Sequence, residues 1–199
     1  VICGSVIGAL LFYFQQCEVF PNISTTPWWM VVLAMLWSFT MIPVPDCLEV
    51  RGWGETNPLN GPTWSLQWEY LANILYALVF RHFSRLLLGV CVALFAILTV
   101  MLCLQIDLFG FLATRDALMQ YTVIGGWSIN PEHLQVGITR LLYPFFAGLL
   151  LSRMGWTLRL KGAFWWCSSA IAAMMLVPRL GGDAGNDMWM NGVYNLVVI

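Results

Sequence analysis

Between Leu86 and Ile106 the chain reads LLLGVCVALFAILTVMLCLQI, without a charged side chain. A run of about 20 apolar residues is long enough for a helix to cross the ~30 Å hydrocarbon layer of a bilayer. Inside lipid every backbone N–H and C=O needs an internal partner, so an isolated run of this kind has to be helical. Trp28–Pro43, Thr63–Phe80, Val136–Leu151 and Ala163–Pro178 are further apolar segments, and Val1–Phe14 and Met188–Ile199 read as the cut ends of two more. The expectation is an all-α, polytopic transmembrane bundle of roughly seven spans with both terminal spans cut. Composition agrees: 60% of the 199 residues are hydrophobic and 10% are charged, against about a quarter charged in a soluble domain. A net charge of -1 leaves no basic footprint for nucleic acid.

Loop charges give an orientation. Arg81, Arg85, Arg153, Arg159 and Lys161 fall in two loops on one side if spans alternate. Lys and Arg favour the cytoplasmic face. Val44–Pro62, Asp107–Gln135 and Arg179–Asp187 then face outward, and Gln15–Pro27, which carries no Lys or Arg, faces inward. Trp28, Trp29, Trp127, Trp156 and Trp189 fall near span ends, as an interfacial aromatic belt requires. Gly4 and Gly8 form a G-x-x-x-G, the spacing that lets helices approach closely. The six cysteines sit mostly in apolar runs and show no C-x-x-C, so they read as small hydrophobes, with no metal site. The segment GGDAGND (Gly181–Asp187) does not have calcium-loop spacing and reads as an outer turn.

One apolar segment carries an acid. In NGPTWSLQWEY (Asn60–Tyr70), Pro62 suits a first helical turn, and Asn60 or Thr63 can cap it. Glu69 then lies roughly 10 Å along the helix axis, inside the hydrocarbon region. A charge at mid-span costs about 2.5–3.5 kcal/mol on insertion scales. Ser65, Glu69 and Asn73 recur at every fourth position, so they share one face, and Leu66, Leu71, Ile74, Leu75 and Leu78 lie on the others. This pattern predicts a polar strip turned into the bundle and an apolar back toward lipid. Arg140 lies near the outer end of another segment, at similar depth, as a candidate partner for Glu69 or for the same polar cavity. A purely structural ion pair fits the same pattern. His82 and His133 stand in no motif.

These residues carry a resemblance. LNGPTWSLQWEYLANILYALVF resembles the signature segment of the acyltransferase 3 family, membrane O-acyltransferases that modify sugars and other exported molecules, through Asn60, Gly61, Pro62, Trp64, Ser65, Leu66, Glu69, Asn73 and Tyr76. TRLLYPFFAGLLLSR resembles a later helix of that family through Arg140, Phe145, Phe146, Gly148 and Arg153, and NGVYNL resembles a third segment. The form of the motif is closest to exopolysaccharide-type members. The resemblance implies that residues 1–199 are one partial acyltransferase 3-like integral membrane domain, multi-pass in a bacterial inner (cytoplasmic) membrane. It implies transfer of an acyl group, expected to be acetyl, from acyl-CoA as co-substrate to a hydroxyl of a saccharide or lipid-linked acceptor, with no bound cofactor and no metal. Glu69 becomes a candidate catalytic residue in a supporting role, and Ser65, Asn73, Trp64 and Arg140 become candidate substrate-binding residues. Family members carry an essential His on a first helix that has no counterpart here. His82 and His133 do not inherit that role, and the isolated chain is expected to be inactive. The alternative from a different class is a secondary transporter with an intramembrane Glu69/Arg140 site, though no internal repeat is visible. A non-catalytic membrane scaffold is the third.

Overall fold

The computed structural model describes residues 1–113, 115, 119–155, 160–176 and 189–198. Asp116, Trp156, Arg159, Arg179 and the 181–187 turn of the sequence reading lie outside the described residues. Every segment expected to be apolar and helical forms a helix: α1 (Ile2–Leu10), α2 (Trp28–Ser38), α3 (Thr63–Leu78), α4 (Arg85–Cys103), α5 (Pro131–Met154), α6 (Ala163–Leu176) and α7 (Trp189–Val198). Among the described residues there is no strand. Two of these helices, α4 and α5, are long and apolar enough to cross a membrane. The other five run from 9 to 16 residues, so the expected count of spanning length is met by two.

Local chemistry explains the shortening of α2. The Ser38 hydroxyl donates to the Ala34 carbonyl at 2.8 Å and the Thr40 hydroxyl to the Trp37 carbonyl at 2.7 Å. Such local bonds compete with helix continuation. Met41 then takes a left-handed φ of 59°, and the chain leaves the helix before Pro43. By contrast α4 begins cleanly, with the Ser84 hydroxyl accepting from the Leu87 N–H at 3.2 Å.

The chain divides into two compact units, Val1–Arg81 with Gly125–Ile138, and His82–Ile124 with Thr139–Ile199. In the first, α1 packs on α2, and Phe12, Ile23, Val31, Ala34, Val50 and Leu59 form the core. Two expectations change here. Gly4 and Gly8 do allow a close approach, but to irregular chain instead of a helix. A Cβ on Gly8 would sit 1.8 Å from the Leu59 carbonyl oxygen, and one on Gly4 2.5 Å from the Asn60 amide.

The loops Gln15–Pro27 and Val44–Pro62 also do not separate to opposite faces. The Asn22 N–H donates to the Arg51 carbonyl at 3.2 Å and the Thr26 hydroxyl to the Val50 carbonyl at 3.0 Å. The reason is geometric. An 11-residue helix is only about 16 Å long. The chain that leaves it at Pro43, where the Trp37 indole N–H reaches the Pro43 carbonyl, runs back along it to Thr26.

In the second unit α4 packs on α7, and side chains of α5 reach α4 and the residues just before it. Phe95 meets Phe146 at 5.0 Å between ring centroids, and Arg153 donates to the Phe83 carbonyl. Arg153, at the basic end of α5, therefore lies near the start of α4 at Arg85, as the loop charges required. At the other end of α4, Gly192 of α7 seats against Cys103, where an added Cβ would sit 2.2 Å from its carbonyl oxygen.

Candidate functional site

The polar residues singled out by spacing are placed as follows. Trp64 lies in the first turn of α3 with its ring 6.5 Å from Trp127. The Ser65 hydroxyl donates back to the Pro62 carbonyl at 3.0 Å, and the Asn73 amide donates to the Glu69 carbonyl at 2.9 Å. Both side chains are thus engaged by their own helix. Glu69 and Asn73 are exposed, whereas the buried residues of α3 are Thr63 and Ala72. Within its own unit the strip is therefore on the open face of α3. Arg140 lies on α5 in the other compact unit. Neither Asn60 nor Thr63 caps α3 by its side chain. Successive turns replace a cap, with Asn60 N–H to the Asn57 carbonyl at 3.1 Å and Thr63 N–H to the Asn60 carbonyl at 2.9 Å.

The dense polar structure lies just before the helix. Glu55 through Leu59 are buried without regular secondary structure. Buried irregular backbone must find partners for its polar groups. Here the Thr56 N–H donates to the Trp127 carbonyl at 2.7 Å, and the Thr56 carbonyl accepts the Val44 N–H at 2.9 Å. Asn57, 1% exposed, accepts from the Gln67 amide at 3.3 Å and donates to the Thr56 hydroxyl at 3.1 Å. This chain of side chains ties the segment to α3.

Glu55 is 8% exposed and pairs with Arg51 at 3.1 Å. Burial pushes the Glu55 carboxyl above its usual 4.5, Arg51 opposes that, and Glu49 adds to it. Arg51 also donates to the Gln15 side chain and lies over the Phe20 ring, 4.8 Å from its centroid. Desolvation without a partner would cost several kcal/mol per ion, so the pair and its hydrogen bonds are what make burial tolerable.

The segment Gly125–Asn130 closes the site. Gly125 and Gly126 have φ of 140° and 104°, which L side chains rarely adopt. A Cβ on Gly126 would lie 2.7 Å from the Trp64 ring. The Trp68 indole N–H donates to the Gly126 carbonyl at 3.1 Å, and the Gly126 N–H donates to His133 Nδ1 at 2.9 Å. Asn130 accepts the His133 N–H at 2.8 Å and Pro131 takes the first position of α5, the arrangement that starts a helix well. His133, 8% exposed and 4.5 Å from the Trp127 ring, uses its Nδ1 lone pair to hold this turn. Trp127 in turn stacks on Trp53 at 5.5 Å.

Two cavities flank this knot. One, of about 370 Å³, is apolar, with Gln67, Trp68, Leu71 and Ile74 of α3 on one side and Ile42 and Leu134 among the others. The second, of about 320 Å³, is polar, with Asp46, Glu49, Glu55 and Asn130 in its wall. They share Thr56, Ser128 and Ile129. At about 100° per residue, Gln67, Leu71 and Ile74 lie roughly across α3 from Ser65, Glu69 and Asn73. The arrangement can hold an apolar group beside a hydroxyl-binding one. Spacing did not single out Thr56, Asn57, Gln67 or Ser128. For Thr56 and Asn57 the one signal was the density of polar residues in ETNPLNGPT, directly before the apolar helix; Gln67 and Ser128 had none. No protein-family model matches the chain, no curated protein matches it, and no solved structure matches it.

Proposed function

We propose that this chain is part of a membrane O-acyltransferase that moves an acyl group from acyl-CoA to a hydroxyl of a saccharide or another exported acceptor. The observation that carries the reading is where the signature-like helix stands. α3 gives Gln67, Trp68, Leu71 and Ile74 to an apolar cavity that meets a polar one at Thr56, Ser128 and Ile129. Acyl transfer needs such a neighbourhood: an apolar place for hydrocarbon and carboxylate, amide and hydroxyl groups to align an attacking hydroxyl.

In this reading α3 has two working faces. The cavity face binds substrate. The opposite face presents Glu69, which orients a catalytic base carried elsewhere in the protein. Of the substrate-binding candidates, Trp64 packs on Gly126, which lines the cavity, while Ser65 and Asn73 stand beside Glu69 on the opposite face. Two helices of spanning length agree with a membrane setting, and the multi-pass inner-membrane placement belongs to this proposal.

The test is transfer of radiolabel from acyl-CoA in native membranes containing the intact protein. Label in a saccharide or lipid product, above membranes lacking the protein, is expected. Solute uptake without label transfer would replace the reading with a secondary transporter.

A further inference from the structure

We infer that the paired cavities bind a non-anionic amphiphile, with a hydrocarbon tail in the apolar chamber and an uncharged, hydroxyl-rich head in the polar one. This deepens the acyl-transfer reading, on which the identification of the occupant as the acceptor rests; the binding site itself does not depend on it.

Size comes first. A volume of about 370 Å³ equals that of about a dozen waters at ~30 Å³ each. An acetyl group fills only a small part of it, and a tail of about ten carbons fits. The chamber walls are suited to that tail, because Met41, Ile42, Leu71, Ile74, Ile129 and Leu134 offer no charge, and Thr56, Gln67 and Ser128 add polar groups to the lining.

Charge decides the head. The polar chamber carries three carboxylates, Asp46, Glu49 and Glu55, with Asn130, Thr56 and Ser128; Glu49 already accepts the Arg51 and Gly52 N–H groups, so exposed Asp46 is the foremost acceptor for a ligand hydroxyl. Arg51 is paired to Glu55 and offsets one of them. A carboxylate accepts hydrogen bonds from sugar hydroxyls and repels a phosphate. The phosphates of coenzyme A, or of a phosphate-linked lipid carrier, meet like charge here, whereas a neutral glycolipid meets acceptors for its hydroxyls. The two chambers border each other at Thr56, Ser128 and Ile129, which sets a tail in one beside a head in the other.

The test is photolabelling of the intact protein in phosphatidylcholine bilayers. Three probes carry the same ten-carbon diazirine tail: a glucoside, a phosphate monoester and an acyl-CoA. The glucoside is expected to label peptides containing Met41–Ile42 and Leu71–Ile74 at least tenfold more than either anionic probe, and unlabelled decyl glucoside is expected to compete. Leu71→Trp, which fills the chamber from an exposed position of α3, is expected to cut labelling at least fivefold. Asp46→Lys, at an exposed rim position, is expected to raise labelling by the phosphate probe relative to the glucoside. Equal or stronger labelling by the anionic probes, or labelling that decyl glucoside does not compete, overturns the inference. Selective labelling without acyl transfer leaves this site standing and defeats the acyltransferase. Acyl transfer without labelling defeats this site alone.

Discussion

The two faces of α3 were built by different rules. One face carries Ser65, Glu69 and Asn73, polar at helical spacing and exposed at Glu69 and Asn73. The other carries Gln67, Trp68, Leu71 and Ile74, mixed in polarity and lining a half-open cavity whose buried wall is Thr56 and Gly126. Periodicity finds the first face because it repeats along one helix. It misses the second because that face is defined by what packs against it: the Glu55–Leu59 segment and the Gly125–Asn130 turn, distant in sequence. The difference teaches that a regular polar strip marks where a helix can be polar, while the cavity lies where irregular polar chain has been made to pack.

The comparison is sharpened by substitutions on the two sides. The largest effect is expected at Arg51, whose removal leaves the buried Glu55 without its partner. Arg51→Ala should cost about 3 kcal/mol of stability, read as a fall in denaturation midpoint of the protein in detergent micelles. An unchanged midpoint would show that the knot is not the stable side. Gly126→Ala should cost about 2 kcal/mol by the same measurement, because the added methyl meets the Trp64 ring and the backbone holds a φ of 104°.

A smaller effect is a pH dependence. The folded state holds the Glu55 proton above its usual 4.5, so between 4.5 and the raised value the native protein binds more protons than the unfolded chain. Stability then falls as pH rises through that window. Thermal midpoints measured from pH 4 upward should decline more steeply in the wild type than in Glu55→Gln; parallel slopes would remove the buried carboxylate from the account. The smallest structural effects belong to the strip. Ser65→Ala and Asn73→Ala each lose only a hydrogen bond to their own helix and should shift stability by about 0.5 kcal/mol or less.

Much of the helical architecture was legible. The apolar runs account for the seven helices among the described residues, because a long uncharged run has few other ways to satisfy its backbone. The nearness of the basic end of α5 to the start of α4 followed from the placement of Arg85 and Arg153. Helix lengths were less legible. In α2, Ser38 and Thr40 turn the chain out before Pro43, which an apolar count does not register. The placement of Gln15–Pro27 opposite Val44–Pro62 failed for the same reason, since it assumed that α2 separates its two ends by a full span. Among site residues, Trp64 was picked out for its spacing in the signature-like segment and stands at the knot. Glu55 and Arg51 read as ordinary loop charges, because nothing in a sequence says that a loop will be buried. His133 stood in no motif, and its role in holding the Gly125–Gly126 turn depends on backbone geometry that single-residue patterns do not carry.

Glu69, on the face of α3 away from the cavity, is the side chain that the proposed acyl transfer depends on. The direct measurement is the rate of label transfer from acyl-CoA by the intact protein, wild type against Glu69→Gln. A loss on the order of 100-fold is predicted, the scale of a lost acid–base or orienting group, with an unchanged denaturation midpoint. Full transfer by the folded Glu69→Gln protein would contradict it.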